Sequence, residues 1–142
     1  MKKNNERGFS LIELLIVVVV IGIIASIAVP HLQRAIHAAQ NGNMFASLRA
    51  VFSTQASFLA QNSRFARLSE VNNILAGGIG TQSGNDVIRG KFVISMTPPE
   101  PTDAELRDSF LITATRNVTG EGIVYQYELT QTGQIRQILP AP

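Results

Sequence analysis

The sequence predicts an α+β protein in which one long N-terminal helix packs on a small antiparallel β-sheet. Two patterns support this prediction. The helical pattern runs from Phe9 to about Gln61, and apolar residues later alternate with polar ones from Phe92 to Leu129. The connection between them is polar and rich in glycine. A chain of 142 residues has room for one domain and an additional segment.

The run from Leu11 to Val29 is apolar except for one carboxylate, Glu13, and two small residues. A helix from Phe9 to Val29 would be about 32 Å long at ~1.5 Å per residue, which matches the hydrocarbon thickness of a bilayer. We therefore expect residues 9–30 to form a single membrane-spanning helix.

The basic character of the sequence comes from residues 1–8. Lys2, Lys3 and Arg7 are balanced there only by Glu6, so nine of the 12 Lys and Arg and nine of the 10 Asp and Glu remain from Phe9 onward. Cations ahead of an apolar run keep that end in the cytoplasm and place the rest of the chain across the membrane. No basic patch indicates nucleic acid as a partner. The chain has no cysteine, so the head must fold without disulfides.

Three interpretations of residues 1–29 are open from the residues alone. An ordinary secretory signal has a shorter apolar core, and Ala25-Ser26-Ile27-Ala28 would be only a loose cleavage site for it. A plain signal anchor explains the length and the leading cations but gives Glu13 no role. The third interpretation, a signal in which Glu13 has a role, rests on a resemblance.

Gly8-Phe9-Ser10-Leu11-Ile12-Glu13 resembles the class III signal of type IV pilins and pseudopilins. In that signal Gly, Phe and Glu stand at fixed offsets ahead of an apolar run, and the close resemblance covers about the first 60 residues. It implies that a prepilin peptidase cleaves between Gly8 and Phe9 on the cytoplasmic side. Residues 1–8 are then a leader, and the new N-terminal Phe9 is N-methylated.

The resemblance also implies that Glu13 and Phe9 act in assembly. A charge at the centre of a membrane helix costs roughly 2.5–3.5 kcal/mol. Glu13 instead lies one turn from the mature N-terminus, where free backbone N–H groups and the helix dipole favour an anion. In pilin-like filaments this Glu pairs with the N-terminal amine of a neighbouring subunit.

Gly22 and Pro30 are expected to weaken the first helical segment. Pro30 has no N–H to donate to Ser26, and glycine has a low helix propensity. The residues themselves indicate a mild kink. The resemblance implies more, namely that the stretch from Gly22 to Pro30 loosens during assembly.

Residues 31–62 are predicted to continue as an amphipathic helix whose apolar face changes at Asn41-Gly42-Asn43. Leu32 and Ile36 share one side, and a stripe of large residues follows about 150° away at ~100° per residue. The stripe consists of Met44, Leu48, Val51, Phe52, Phe58 and Leu59. Small residues lie on the side of the helix that Leu32 and Ile36 occupy earlier, namely Ala46, Ala50, Ser53, Thr54 and Ser57. The stripe would pack on the head, and the small side would pack on neighbouring helices. The alternative to one continuous helix is two helices broken at Gly42.

The sequence predicts an exposed loop over residues 63–89 and the antiparallel sheet of the head over residues 90–142. Alternating strand patterns lie around Phe92–Met96, Phe110–Ala114 and Ile123–Leu129, and a turn at residues 131–133 leads to a short strand near Ile135. Within the connecting loop, Thr102 and Glu105 would form a capping box at the start of one helical turn.

No residues predict a catalytic, cofactor or metal site. His31 and His37 lie about 240° apart around the helix, so they do not share a face for a metal ion. Asp103, Glu105 and Asp108 lack a calcium-ligand pattern and indicate an exposed turn. We therefore expect the chain to be no enzyme.

These expectations describe a structural protein, the major pilin of a type IV pilus-like helical filament of identical subunits. The resemblance implies a prepilin peptidase, an assembly ATPase and an inner-membrane platform as partners. The precursor would lie in the inner membrane with its N-terminus cytoplasmic, and the filament on the cell surface. Alternatives are a minor pilin, a pseudopilin of a type II secretion system, against which the absence of Trp counts, and a membrane-anchored binding protein that never polymerises.

Overall fold

The computed structural model describes residues 9–118 and 123–139, and it confirms the predicted α+β class. The helices are α1 (Leu11–Asn62), α2 (Leu68–Ile74) and α3 (Glu105–Asp108). The strands are β1 (Thr81–Ser83), β2 (Asp86–Arg89), β3 (Phe92–Thr97), β4 (Leu111–Val118), β5 (Ile123–Thr130) and β6 (Ile135–Leu139). They form one sheet in sequence order, and each neighbouring pair is antiparallel.

Helix α1 is continuous, although the chain divides into two compact units after Gln40. The division falls at Asn41-Gly42-Asn43, where the sequence predicts the change of apolar face. Because α1 runs through Gly42 without interruption, the alternative of two helices broken there is wrong. Pro30 also lies inside the helix.

The N-terminal unit is exposed on every side of its helix. Leu15, Ile16 and Val17, which follow one another at about 100° around the helix, are 53%, 55% and 50% exposed. Within residues 9–118 and 123–139, α1 is the one helix long and apolar enough to cross a membrane, judged by length and composition. This half of α1 therefore finds no apolar cover within its own unit.

The second unit is a head whose core lies between α1 and the sheet. Met44, Leu48 and Val51 are buried, which confirms the centre of the predicted stripe, whereas Phe52 and Phe58 are only partly buried against the core. The sheet contributes Val87, Phe92, Ile94, Met96, Ile112, Ala114, Tyr127 and Leu129. The helix stripe and one face of the sheet therefore bury each other.

The cross-strand register explains why one face of the sheet is apolar. Ile94 pairs with Ala114 and Ala114 pairs with Tyr127, and all three side chains are buried. Side chains alternate between the two faces of a strand, so Val93 and Thr97 are exposed. The strand patterns predicted around residues 92–96, 110–114 and 123–129 are confirmed.

The prediction of an exposed loop over residues 63–89 is wrong. This segment contains α2, β1 and β2, and it buries Val71, Ile79 and Val87 in the core. These elements are of 7, 3 and 4 residues, too short for a periodic pattern to be recognised. Pairing with β3 stabilises the β1–β2 hairpin, and the sheet begins at Thr81 rather than residue 90.

A buried amide joins the end of α1 to the segment that follows it. Gln55 is fully buried; its Nε2 donates to the carbonyl of Ala66 at 2.8 Å, and the Ala66 N–H donates to its Oε1 at 2.7 Å. Next to this pair, the Phe65 N–H donates to the carbonyl of Leu106 at 2.7 Å. The polar atoms of the Gln55 side chain are therefore satisfied inside the core, as buried polar groups must be.

Hydrogen bonds and ion pairs between charged side chains stabilise the start of α2. Arg64 donates to both carboxylate oxygens of Glu70, at 2.9 and 2.8 Å, and the Arg67 N–H donates to the same carboxylate at 2.7 Å. Arg67 also forms an ion pair with Asp103 at 2.6 Å. Glu70 therefore caps α2 and binds the preceding residues at the same time.

The predicted capping box at α3 is confirmed. The Thr102 N–H donates to Glu105 at 2.8 Å, and the Glu105 N–H donates to the Thr102 hydroxyl at 3.3 Å. The bonds from the backbone and the hydroxyl of Thr102 lower the pKa of Glu105. One helical turn thus begins where the sequence places it.

Replacing Leu48 by Ala should lower the free energy of unfolding of the head by about 2–5 kcal/mol, because a fully buried side chain leaves a cavity. The measurement is urea unfolding of the full chain in detergent, followed by circular dichroism. Leu32→Ala is the matched control on the same helix. Leu32 is 62% exposed, so its loss should change the unfolding of the head by less than about 0.5 kcal/mol. Equal effects would show that the stripe is not the core contact.

Glu70 should make the head less stable in acid. Hydrogen bonds from the Arg64 side chain lower the pKa of Glu70, burial opposes this, and the Arg67 N–H adds to the lowering. The folded carboxyl therefore binds a proton less readily than the unfolded one. Its contribution is fully present above the unfolded pKa of about 4.3 and is lost as the pH falls through the lower folded pKa.

Glu70→Gln should therefore lower the stability of the head by about 1 kcal/mol at pH 7. It should also reduce the loss of stability between about pH 5 and pH 3. Urea unfolding at several pH values measures both effects. Asp108→Asn, at an exposed position, is the control. A Glu70→Gln variant with the full acid dependence of the unmodified chain would contradict the assignment.

Candidate processing and assembly site

The candidate site is the start of α1. The helix begins at Leu11, and the carbonyl of Ser10 accepts the Leu14 N–H at 3.3 Å, so Ser10 is the N-cap residue. Phe9 precedes it and is 82% exposed. Gly8, on the leader side of the expected cleavage site, lies outside the described residues. Cleavage before Phe9 would therefore place the new amine directly ahead of the helix cap.

Glu13 is bonded to the backbone of this cap. Its Oε2 accepts the Ser10 N–H at 2.9 Å. Glu13 is the third helical residue, where a Glu commonly reaches back to the N-cap N–H. Its negative charge also lies at the positive end of the helix dipole. The carboxylate thus stabilises the helix start within a single chain.

Ser10 is the residue that sequence reasoning missed. The signal was present, because Ser10-Leu11-Ile12-Glu13 has the S-x-x-E spacing of a capping box. Within the described part of the chain, Oε2 is the Glu13 oxygen that accepts a hydrogen bond, and the side chain is exposed. The remaining oxygen, Oε1, is therefore available to a cation from outside the chain.

The two residues expected to loosen the helix lie away from this cap. At ~1.5 Å per residue, Gly22 and Pro30 are about 14 Å and 26 Å from Glu13 along the axis. Apart from the adjacent helix backbone, no described atom lies within 4 Å of the place where Gly22 would carry a Cβ. Both residues are helical in the structure, and their loosening during assembly stays a prediction.

The small side of α1 is exposed in the head. Ala46, Ala50 and Ser57 are exposed. The hydroxyls of Thr54 and Ser57 donate to carbonyls of their own helix, at 3.0 and 3.1 Å. Ala46 and Ala50 also line a surface cleft of about 280 Å³ together with Arg89. This side is therefore narrow, and the hydroxyls of Thr54 and Ser57 donate within the helix.

The carboxylates and histidines considered as ligands occupy separate places. Asp103 pairs with Arg67 and Arg64, and Glu105 caps α3. His31 is exposed on α1, and His37 is partly buried there. In the chain as far as the structure describes it, His, Cys, Asp and Glu nowhere form a group of three that could hold a metal ion.

Comparison with known proteins finds a motif at the same N-terminus. Residues 3–29 match the model of the prokaryotic N-terminal methylation motif. The chain is 38% identical over 62 residues to the type IV major pilin protein PilA of Myxococcus xanthus, a match covering 44% of this chain and 28% of the relative. It is 39% identical over 90 residues to the fimbrial protein of Moraxella nonliquefaciens, covering 63% and 52%. The chain therefore carries the N-terminal methylation motif and is similar to type IV pilins.

A third relative comes from a secretion system. This chain is 32% identical over 65 residues to type II secretion system core protein G of Klebsiella michiganensis, covering 46% of each chain. The chain thus spans between about a quarter and a half of the length of these relatives. No solved structure matches the chain significantly.

Proposed function

We propose that this type IV pilin-like protein is the major structural subunit of a surface filament, made as an inner-membrane precursor and polymerised through α1. The observation that carries the proposal is the exposure of the apolar half of this helix. Every residue from Leu11 to Ile36 is exposed. A helix of this composition requires a bilayer or other subunits around it.

The apolar half of α1 can be buried in a bilayer or in the core of a filament. Full burial of one Leu, Ile or Val side chain is worth roughly 1.5–3 kcal/mol relative to water. The bilayer supplies this burial to the precursor, and helices of identical subunits supply it in a filament core. The helix can therefore leave the membrane for the filament without exposing its apolar residues to water.

Processing precedes assembly in this proposal. A prepilin peptidase cleaves between Gly8 and Phe9 and the amine of Phe9 is methylated, in agreement with the methylation motif over residues 3–29. Cleavage removes Lys2, Lys3 and Arg7, the cations that orient the precursor. An assembly ATPase and a membrane platform act on the mature chain, which itself catalyses nothing.

Glu13 selects and aligns the neighbouring subunit. In the single chain its carboxylate accepts the Ser10 N–H through Oε2. We assign the other oxygen to the methylated amine of Phe9 on an adjacent copy. A charge buried in an apolar core without its counter-ion is costly, so the pair favours the one axial register in which both charges are matched.

The second candidate function is that of a pseudopilin in a type II secretion system. The similarity to core protein G favours it. A minor pilin and a membrane-anchored binding protein that does not polymerise are further alternatives. Deletion of the gene separates the major pilin from the pseudopilin, because loss of a major pilin removes the surface filaments seen by electron microscopy. Loss of a pseudopilin leaves those filaments and abolishes secretion through the type II system.

Intact-mass analysis of the membrane form should show a chain that begins at Phe9 and carries one additional methyl group. Gly8→Leu, which changes only the leader side of the cleavage site, should leave the full-length mass. A product that begins near Val29, as for an ordinary secreted protein, would falsify the assignment.

Glu13→Leu should abolish filaments while the mature monomer accumulates in the membrane. The substitution removes a charge from the apolar run, so insertion should be unharmed, but the amine of Phe9 loses its counter-ion. Glu13→Gln should fail less completely, because it retains an oxygen acceptor. The measurement compares sheared surface filament with membrane monomer for each variant expressed alone.

Val17→Leu is the matched control for this experiment, since it changes the shape of the same apolar run without a change of charge. It should assemble normally. Abundant filaments from Glu13→Leu would remove the assembly role of the carboxylate.

A further inference from the structure

Arg116, on β4, is a buried cation without a counter-ion among the described residues. Its exposure is 0%. Nη1 donates to Oδ1 of Asn41, on α1, over a long 3.4 Å, whereas Nε and Nη2 have no hydrogen-bond partner within residues 9–118 and 123–139. Arginine is almost never fully buried unless it is paired. The two unpaired donors therefore indicate a missing ligand.

Aromatic rings form the walls around this guanidinium. Phe92 on β3 and Tyr125 on β5 are the direct cross-strand neighbours of Arg116. The Cζ atom of Arg116 lies 5.8 Å from the centroid of each ring. Tyr127 packs against Phe92 with the ring centroids 6.2 Å apart. The ring faces attract the positive charge, but they provide no oxygen for Nε and Nη2.

The two unpaired donors of Arg116 are placed to bind two oxygens of one group. Nε and Nη2 lie on one edge of the planar guanidinium, and this edge donates two parallel hydrogen bonds to two oxygens of a carboxylate or a phosphate. Asn41 occupies the other side and fixes the plane. We propose that Arg116 is the centre of an oxyanion site that binds one carboxylate or phosphate group between α1 and β4 of the head.

The surroundings would make such a bond strong. Shielding from water removes competing hydrogen bonds, and a charge-assisted bond is stronger at low local dielectric. Phe92 and Tyr127 are buried, but Tyr125 is only partly buried, so its ring is the wall nearest to solvent. An anion from solvent would have to pass this ring, so its exchange should be slow.

Two sources could supply the oxyanion: a free anion such as phosphate, or a carboxylate side chain of a second copy of this chain. The first test follows the Nε–H resonance of Arg116 by NMR in the full-length protein, labelled with ¹⁵N-arginine and held in detergent micelles. Arg116→Lys identifies the resonance by its loss. Sodium phosphate and sodium acetate are added separately, with chloride exchanged to keep the ionic strength constant.

A free anion should shift this resonance in a saturable way and raise the melting temperature of the head. At a concentration of about five times the dissociation constant, mass action predicts a rise of roughly 4–8 °C for a domain of this size. Arg116→Met should abolish the rise, and Arg116→Lys, which cannot bind two oxygens in the same way, should weaken the affinity about tenfold or more. Arg107→Met, at an exposed arginine on α3, should retain the full response.

The second arm records the same resonance in the assembled protein, as filaments or as oligomers reconstituted in membranes, without phosphate or acetate. A shift there that neither free anion produces in micelles assigns the oxyanion to a second copy. A resonance with one position in all of these samples overturns the proposal. An anion-dependent rise in melting temperature that persists in Arg116→Met also overturns it, because the anion then binds elsewhere.

Discussion

A single helix of 52 residues must be stable in two kinds of surroundings, and the other features of this protein follow from that constraint. In its first half α1 is apolar on every side and relies on neighbours outside its unit. In its second half it is covered on one side by its own sheet through Met44, Leu48 and Val51. The change of face near Asn41 is what allows both arrangements in one uninterrupted helix.

The head compensates for the absence of disulfides with polar groups that connect segments distant in sequence. Gln55 is paired with both backbone groups of Ala66, and Glu70 binds Arg64 while it caps α2. Each contact acts on the stretch after α1, where the chain leaves the helix and places Phe65, Leu68 and Val71 in the core. An unsatisfied buried amide would cost about 1–3 kcal/mol, so these contacts also fix the geometry of that stretch.

Sequence reasoning succeeded where a periodic pattern is long, and it failed where pairing with a neighbouring strand decides the conformation. The stripe of α1 and the alternation in β3 to β5 repeat often enough to be recognised. The strands β1 and β2 are short, and their conformation is set by β3, which a local pattern does not include. At the candidate site, the position of Glu13 was predictable, but its bond to Ser10 was overlooked. Arg116 follows Ile112 and Ala114 in the buried register, yet a period of two does not reveal that its Nε and Nη2 have no partner among the described residues.

The hydroxyls on the narrow side of α1 have a mechanical consequence. Thr54 and Ser57 direct their protons to their own helix, so this surface offers few directional bonds to an adjacent helix. Contacts made by shape alone change little in energy when one helix slides along another. In a filament packed through such surfaces, resistance to sliding would come from the charge pair of Glu13 and Phe9 rather than from this side of the helix.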